Sequence, residues 1–208
     1  MMEIPEILAR GGLVIWAIAA LSVLTLTIIL WKIWRLSALG AWSGGRATGA
    51  AIDDWQAGRA DAATARLTNR RSVRARLALC AIAARRDATL TEAAAREETT
   101  RIARALLSEL RTGLRPLDLI VTIAPLLGLL GTVIGMIAAF QALQEAGVQA
   151  DPATLAGGIW QALLTTAAGM AVAIPASAAL TWFDSIADRL QAEMEDDATR
   201  IFTRGGTG

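Results

Sequence analysis

The sequence predicts an all-α membrane protein. It has three transmembrane helices, a cytoplasmic helical hairpin between the first two, and cytoplasmic extensions of the second and third. Three observations carry that prediction. Three runs hold no charged side chain: Leu13–Trp31, Leu119–Gln144 and Pro152–Phe183. The two later runs exceed the roughly 20 apolar residues that span a hydrocarbon core about 30 Å thick. Hydrophobic residues make up 54% of the 208-residue chain, above the usual share for soluble domains.

Residues 1–12 form a short N-terminal segment carrying Glu3, Glu6 and Arg10. Residues 13–31 are the first span. A signal peptide is the competing reading, because Ala38-Leu39-Gly40 resembles a cleavage site. The leader is not basic, however, and the apolar run exceeds the 7–15 residues of a typical signal. Lys32 and Arg35 follow directly, like a stop-transfer flank. Trp16 and Trp31 lie about 22 Å apart along a helix rising 1.5 Å per residue, which suits two interfacial anchors.

Residues 32–117 form the cytoplasmic helical segment, dense in Ala, Arg, Leu and Glu, all good helix formers. Gly44-Gly45 and Gly49 mark a break after the first span. A short helix is expected over 53–67, with a turn at Thr68-Asn69. A long helix is expected over 70–114, broken near Asp87, its second arm running into the second span with Pro116 kinking the junction. Ile102, Leu106, Leu110, Leu114 and Leu117 recur at helical spacing as an amphipathic stripe. Glu97 and Glu98 precede Arg101 at ion-pair spacing. The single cysteine, Cys80, excludes an intramolecular disulfide and reads as a small apolar residue on a helix.

The second span is expected over 118–140, the connecting loop over 141–155 and the third span over 156–182. Both spans carry internal prolines, Pro125 and Pro175, at expected kinks. Asp151-Pro152 suits a helix start, with Asp as N-cap and proline at the first helical position. Trp160 and Trp182 lie about 33 Å apart along a helix, again a pair of anchors. Residues 183–208 continue the third helix, with Ile186, Leu190, Met194 and Ile201 near one face, and end in a Gly205–Gly208 tail expected to be disordered.

Basic residues set the sidedness. They cluster after the first span and after the third, whereas the loop between spans two and three has none. The positive-inside rule places the N-terminus and residues 141–155 outside, and residues 32–117 and the C-terminus in the cytoplasm. The arginines are explained by sidedness and anionic headgroups. No aromatic residues interleave with them for base stacking, so nucleic acid is not an expected partner. The chain has no histidine. Neither a nucleophile elbow, a phosphate loop nor HExxH occurs, so no enzyme, cofactor or metal is expected.

Two faces of small residues stand out. Gly128, Thr132, Gly135 and Ala139 share one face of the second span. Gly158, Ala162, Thr165, Gly169, Ala173 and Ala176 share one face of the third, with Gln161 and Thr166 beside it. Small faces let membrane helices approach closely. One reading is packing alone, with threonine hydroxyls bonded to carbonyls one turn back. The other gathers several copies around an axis, so that Thr132, Thr165, Thr166 and Gln161 line a polar path and Gly128, Gly135, Ala139, Gly158, Ala162 and Gly169 receive a partner helix.

The stretches IAPLLGLLGTVIGM (123–136) and GIWQALLTTAAGMAVAIPA (158–176) resemble the MotA/TolQ/ExbB proton-channel family, on its ExbB side. The resemblance covers roughly residues 117–183. It implies an inner-membrane homo-oligomeric ring, a pentamer, around single-span ExbD- or TolR-like subunits that carry a membrane Asp. It also implies a TonB-like protein as further partner, and use of proton-motive force for uptake across the outer membrane. A TolQ-like or MotA-like stator, or a purely structural scaffold, is the alternative. Thr132 and Thr166 fall on the family's pore-facing threonines. Gln161 stands where ExbB and TolQ commonly carry glutamate.

A physical point stands beside the resemblance. Proton relays in membranes use titratable side chains, and spans two and three hold none away from their ends; Asp118 sits at the edge as a helix-end residue. Thr and Gln order hydrogen bonds without changing charge. The carboxylate is therefore expected on a partner's helix.

Overall fold

The computed structural model describes residues 12–42, 45–146 and 152–204. The expectations that fall on 1–11, Gly44, Asp151, Gly205–Gly208 and part of the 141–155 loop lie outside the described residues. Regular structure among the described residues is helical throughout, in seven helices: α1 Gly12–Ala38, α2 Gly45–Gln56, α3 Ala60–Leu67, α4 Val73–Arg86, α5 Glu92–Arg111, α6 Leu114–Ala146 and α7 Pro152–Arg204. Three helical stretches are long and apolar enough to cross a membrane. The chain divides into two compact units, one of Met1–Leu30 and Gly113–Thr181, the other of Trp31–Thr112 and Trp182–Gly208.

The first unit holds the apolar part of α1, all of α6 and the first part of α7. Its helices form because long uncharged runs close every backbone hydrogen bond internally, which an apolar surround demands. Both α6 and α7 run on through their internal prolines, Pro125 and Pro175. Leu13, Val23, Leu24, Leu126, Leu129, Ile137, Leu163 and Ile174 are exposed. That outward apolar surface suits lipid rather than water.

In the second unit the two-armed hairpin is corrected to four separate helices, α2 to α5, joined by the end of α7. The helix expected over 53–67 is split. Gly58 adopts φ +79°, and the Arg59 N–H bonds the Asp54 carbonyl at 2.9 Å while that of Gly58 bonds Trp55 at 3.0 Å. This paired C-cap needs a left-handed residue that glycine supplies without strain. Gly49, taken as a breaker, lies inside α2. The expected break at Asp87 is present: its carboxylate accepts from the Thr89 N–H at 2.9 Å, and Thr91 then caps α5 by accepting from Ala94 at 3.2 Å. Thr68-Asn69 forms the expected turn.

The second arm does not run unbroken into the second span. Gly113, at φ +86°, separates α5 from α6. Pro116 falls in the first turn of α6, where its missing N–H leaves no helical bond unmade. Glycine, not proline, is the joint.

Packing in this unit is dense in alanine. Ala51, Ile52, Trp55, Ala63, Leu67, Ala75, Ala78, Ala81, Ile82, Ala95, Ile201 and Phe202 form one buried cluster. On α5 the buried positions are Ala95, Thr99, Leu106 and Leu110, so the stripe is real, although Ile102 stands half-buried at its edge. Leu114 and Leu117 belong to the other unit. The tail face of Ile186, Leu190, Met194 and Ile201 is buried. Of the paired glutamates, Glu98 bonds Arg101. Cys80 is a half-buried free thiol on α4.

Charge fixes how the tail sits. Asp197 is 1% exposed, and the Arg74 guanidinium grips it with Nε and Nη2 at 2.8 and 2.9 Å while Nη1 reaches Glu193 at 3.0 Å. This fork geometry is available to Arg and not to Lys. Beyond it, Trp55 Nε1 and Gln56 Nε2 donate to the carbonyls of Ile201 and Arg200 at 3.1 and 3.2 Å. They tie the end of α2 to the backbone of the last turns of α7. Asp54 accepts from Arg59 and Arg66, which hold its carboxyl below the usual carboxylate range.

Candidate functional site

The hairpin of α6 and α7 is built on absent side chains. A Cβ at Gly128 would lie 2.9 Å from the Thr165 carbonyl oxygen and the Thr166 Cα. At Gly131 it would meet Thr165 Oγ1 at 2.5 Å, at Gly158 the Ala139 Cβ at 2.5 Å, and at Gly169 the Ala124 carbonyl oxygen at 2.5 Å. Gly135 is a little looser, 3.0 Å from the Ala162 Cβ. Real Cβ atoms do not approach so closely, so the backbones meet at these positions because nothing projects between them.

Within the chain, Gly128, Gly135, Ala139, Gly158, Ala162 and Gly169, the residues of the expected partner-helix face, lie between α6 and α7: Ala139 and Ala162 are buried, and the glycines meet the opposite helix. Gly131 belongs to the same contact and escaped the sequence reading. The spacing of Gly128, Gly131 and Gly135 was the available signal, since all three lie along one helical stripe.

The polar groups do not gather into one path within the chain. The Thr165 hydroxyl, on a buried residue, donates to the Ala162 carbonyl at 2.7 Å and lies 3.2 Å from that of Gly128. The half-buried Thr166 hydroxyl donates to the same Gly128 carbonyl at 3.1 Å. One carbonyl of α6 thus ties two successive threonines of α7, and Gly128 exposes it because it has no side chain of its own. The packing reading, in which threonines bond carbonyls of their own helix, is half the answer: Thr165 does so and also crosses to α6.

Thr132 and Gln161 open in other directions. Thr132 donates to the Leu129 carbonyl at 2.6 Å and lines a shallow groove of about 480 Å³ with Val133, Met136, Ile137, Phe140, Gln141 and Gln144. The groove lies along one face of α6, apolar except for the hydroxyl at one end and two amides at the other. Gln161 lines a crevice of about 620 Å³ shared with α1, where Leu13, Val14 and Ala17 approach Leu130, Ile134 and Thr165.

No side chain that titrates near neutral pH lies within 119–144 or 152–183. Among the described residues no cluster of His, Cys, Asp and Glu could hold a metal ion. What this hairpin offers is a closely packed pair of helices, a hydroxyl in an open apolar groove, and no proton-accepting carboxylate within its two uncharged runs.

A family model described as the MotA/TolQ/ExbB proton channel family matches residues 64–196. The chain is 44% identical over 87 residues to the biopolymer transport protein exbB1 of Vibrio cholerae, a match covering 42% of this chain and 38% of that protein. It is 53% identical over 68 residues to a putative biopolymer transport protein, an ExbB homolog, of Methanothermobacter thermautotrophicus, covering 33% and 23%. It is 49% identical over 69 residues to a putative ExbB-like biopolymer transport protein of Synechocystis, covering 32% and 27%. The matched stretches therefore span well under half the length of these relatives.

Proposed function

We propose that this chain, which belongs to the MotA/TolQ/ExbB proton channel family, is an ExbB-like subunit of a motor complex driven by proton-motive force. Copies form a ring, a pentamer, in the bacterial inner membrane around an ExbD- or TolR-like single-span partner. With a TonB-like protein the complex energises uptake across the outer membrane. The N-terminus and the loop between spans two and three face the periplasm; the α2–α5 segment and the C-terminus face the cytoplasm. The chain has no enzymatic role in this reading.

The observation that carries it is a hairpin with an open polar-tipped groove and no ionisable group within its runs 119–144 and 152–183. Proton passage through lipid needs a side chain that changes charge. Thr132 and the amides of Gln141 and Gln144 donate and accept hydrogen bonds at constant charge. The carboxylate must come from the partner, whose helix lies against the Thr132 faces of several copies. A carboxylate crosses an apolar ring more readily neutral than charged. Each charge moved gains about 2.3 kcal/mol per 100 mV of membrane potential.

The test uses the assembled complex. Replacing the partner's membrane Asp by Asn abolishes proton-dependent uptake while leaving the complex assembled. Thr132→Val also leaves assembly intact and slows growth on scarce chelated iron. Wild-type growth of Thr132→Val would reduce the groove to packing. Continued proton-driven uptake with the partner's Asn variant would end the proposal.

A further inference from the structure

Lys32 is not the exposed flank that its place after the first span suggests. It is the chain's one lysine, and it is 1% exposed. A lysine at a membrane border ordinarily snorkels its ammonium into water; burial needs compensating partners. Here the ammonium donates to the carbonyl of Leu110 and, at 2.6 Å, to that of Thr112. Both carbonyls belong to the end of α5, where Gly113 turns the chain out of the helix. The ammonium replaces N–H donors that a further turn would have provided, and it sits at the negative end of the helix dipole. Asp184 attracts it and Arg35 repels it, while Arg35 is drawn aside by Glu109 at 3.5 Å.

The polypeptide passes between the two units at three places: after Leu30, after Thr112 and after Thr181. Lys32, Thr112 and Asp184 stand beside those three crossings, each within the second unit. One cation therefore hydrogen-bonds the second crossing from the first; the Asp184 charge beside the third attracts it without bonding it. A hydrogen-bonded cation at a helix end is a stronger and more directional tie than apolar contact.

We propose that Lys32 is a positioning residue, a clasp that holds the first two crossing segments of the second unit together so that displacement of one is passed to the other. The clasp itself depends only on the contacts above. Its use in transmitting proton-driven motion rests on the function proposed for the complex.

Hydrogen exchange on the full-length chain in lipid nanodiscs tests the clasp without partner or gradient. In Lys32→Met, peptides covering 31–38 and 106–117 are expected to exchange at least tenfold faster together, while one covering 45–56 keeps its rate. Faster exchange confined to 31–38, an equal rise at 45–56, or no change would each overturn the clasp. If Lys32→Met does not accumulate, Lys32→Gln, which keeps a neutral donor, serves instead. It is expected to speed exchange at 31–38 and 106–117 together at least threefold; an unchanged rate at 106–117 overturns the proposal. In cells, at matched levels of complex, Lys32→Met is expected to cut energised uptake at least fivefold and Lys32→Arg to recover most of it. Full uptake by Lys32→Met would refute transmission. Absence of uptake in the wild type would sink the functional reading and leave the exchange result standing.

Discussion

The two units hold their helices together by opposite means. In the α6–α7 hairpin the contact is made by what is missing: Gly128, Gly131, Gly158 and Gly169 let backbone approach backbone, and two threonines converge on one carbonyl. In the unit of α2–α5 and the end of α7, contact is made by what is added: the Arg74 fork on Asp197, the Asp54 pair with Arg59 and Arg66, and side chains that cap helix ends. The difference follows from the surroundings each sequence suits. Against lipid, burying apolar side chains gives helices no driving force, so close van der Waals approach must supply it. Where charges abound, an alanine core collapses by the hydrophobic effect, and paired charges select one arrangement.

The comparison is best broken by removing one device from each side. Asp197→Ala should have the largest effect, because it leaves the Arg74 guanidinium, only 17% exposed in its side chain, without its main partner. Breaking a buried pair costs about 3–5 kcal/mol; Glu193 remains, so a loss of about 3 kcal/mol is expected. Thermal unfolding of the purified protein measures it. Asp197→Asn should lose less, since the amide oxygen still accepts a bond.

Next comes Gly169→Val. Its Cβ would meet the Ala124 carbonyl oxygen, a backbone atom that cannot rotate away. Overpacking costs about 1–3 kcal/mol, and a loss of about 2 kcal/mol is expected in the same measurement. Gly49→Val, where open space surrounds the glycine, is the control and should shift stability little. If both variants behave alike, the hairpin is not held by close approach.

The smallest effect sharpens the contrast by pH. Asp54 has a folded pKa below its unfolded value, owing first to hydrogen bonds from Arg59 and then from Arg66. Its contribution is therefore present above the usual carboxylate range, near pH 4. It is lost as pH falls through the lowered folded value. Unfolding followed from pH 7 to pH 3 should show the second unit weakening at the acid end, and Arg59→Gln with Arg66→Gln should blunt that change. The first unit has no titratable group in its apolar runs and should stay indifferent. An equal acid response in both units would contradict the division drawn here.

Much of this was legible before any coordinates. Uncharged runs of about 20 residues suit membrane-crossing helices, so three helices long and apolar enough to cross a membrane followed from composition alone. The buried tail face at Ile186, Leu190, Met194 and Ile201 followed from spacing. The break expected after the first span lies between α1 and α2, whereas the joint expected at Pro116 falls at Gly113. Gly58 and Gly113 are single glycines in ordinary helical sequence, and only their positive φ shows that they end helices. The small-residue faces are legible as faces, and within the chain they meet each other. Periodicity shows that a face is small, but not whether the chain or another molecule fills it.

The sequence by itself determined the number of spans, the absence of an ionisable group within the last two, and the family, because each depends on residue type and local order. The tertiary structure decided which helix meets which. It put Gly128 against two threonines, Gln161 toward α1, and Lys32 against the end of α5. Those are contacts between residues far apart in the chain, and neither periodicity nor composition carries information about such distances.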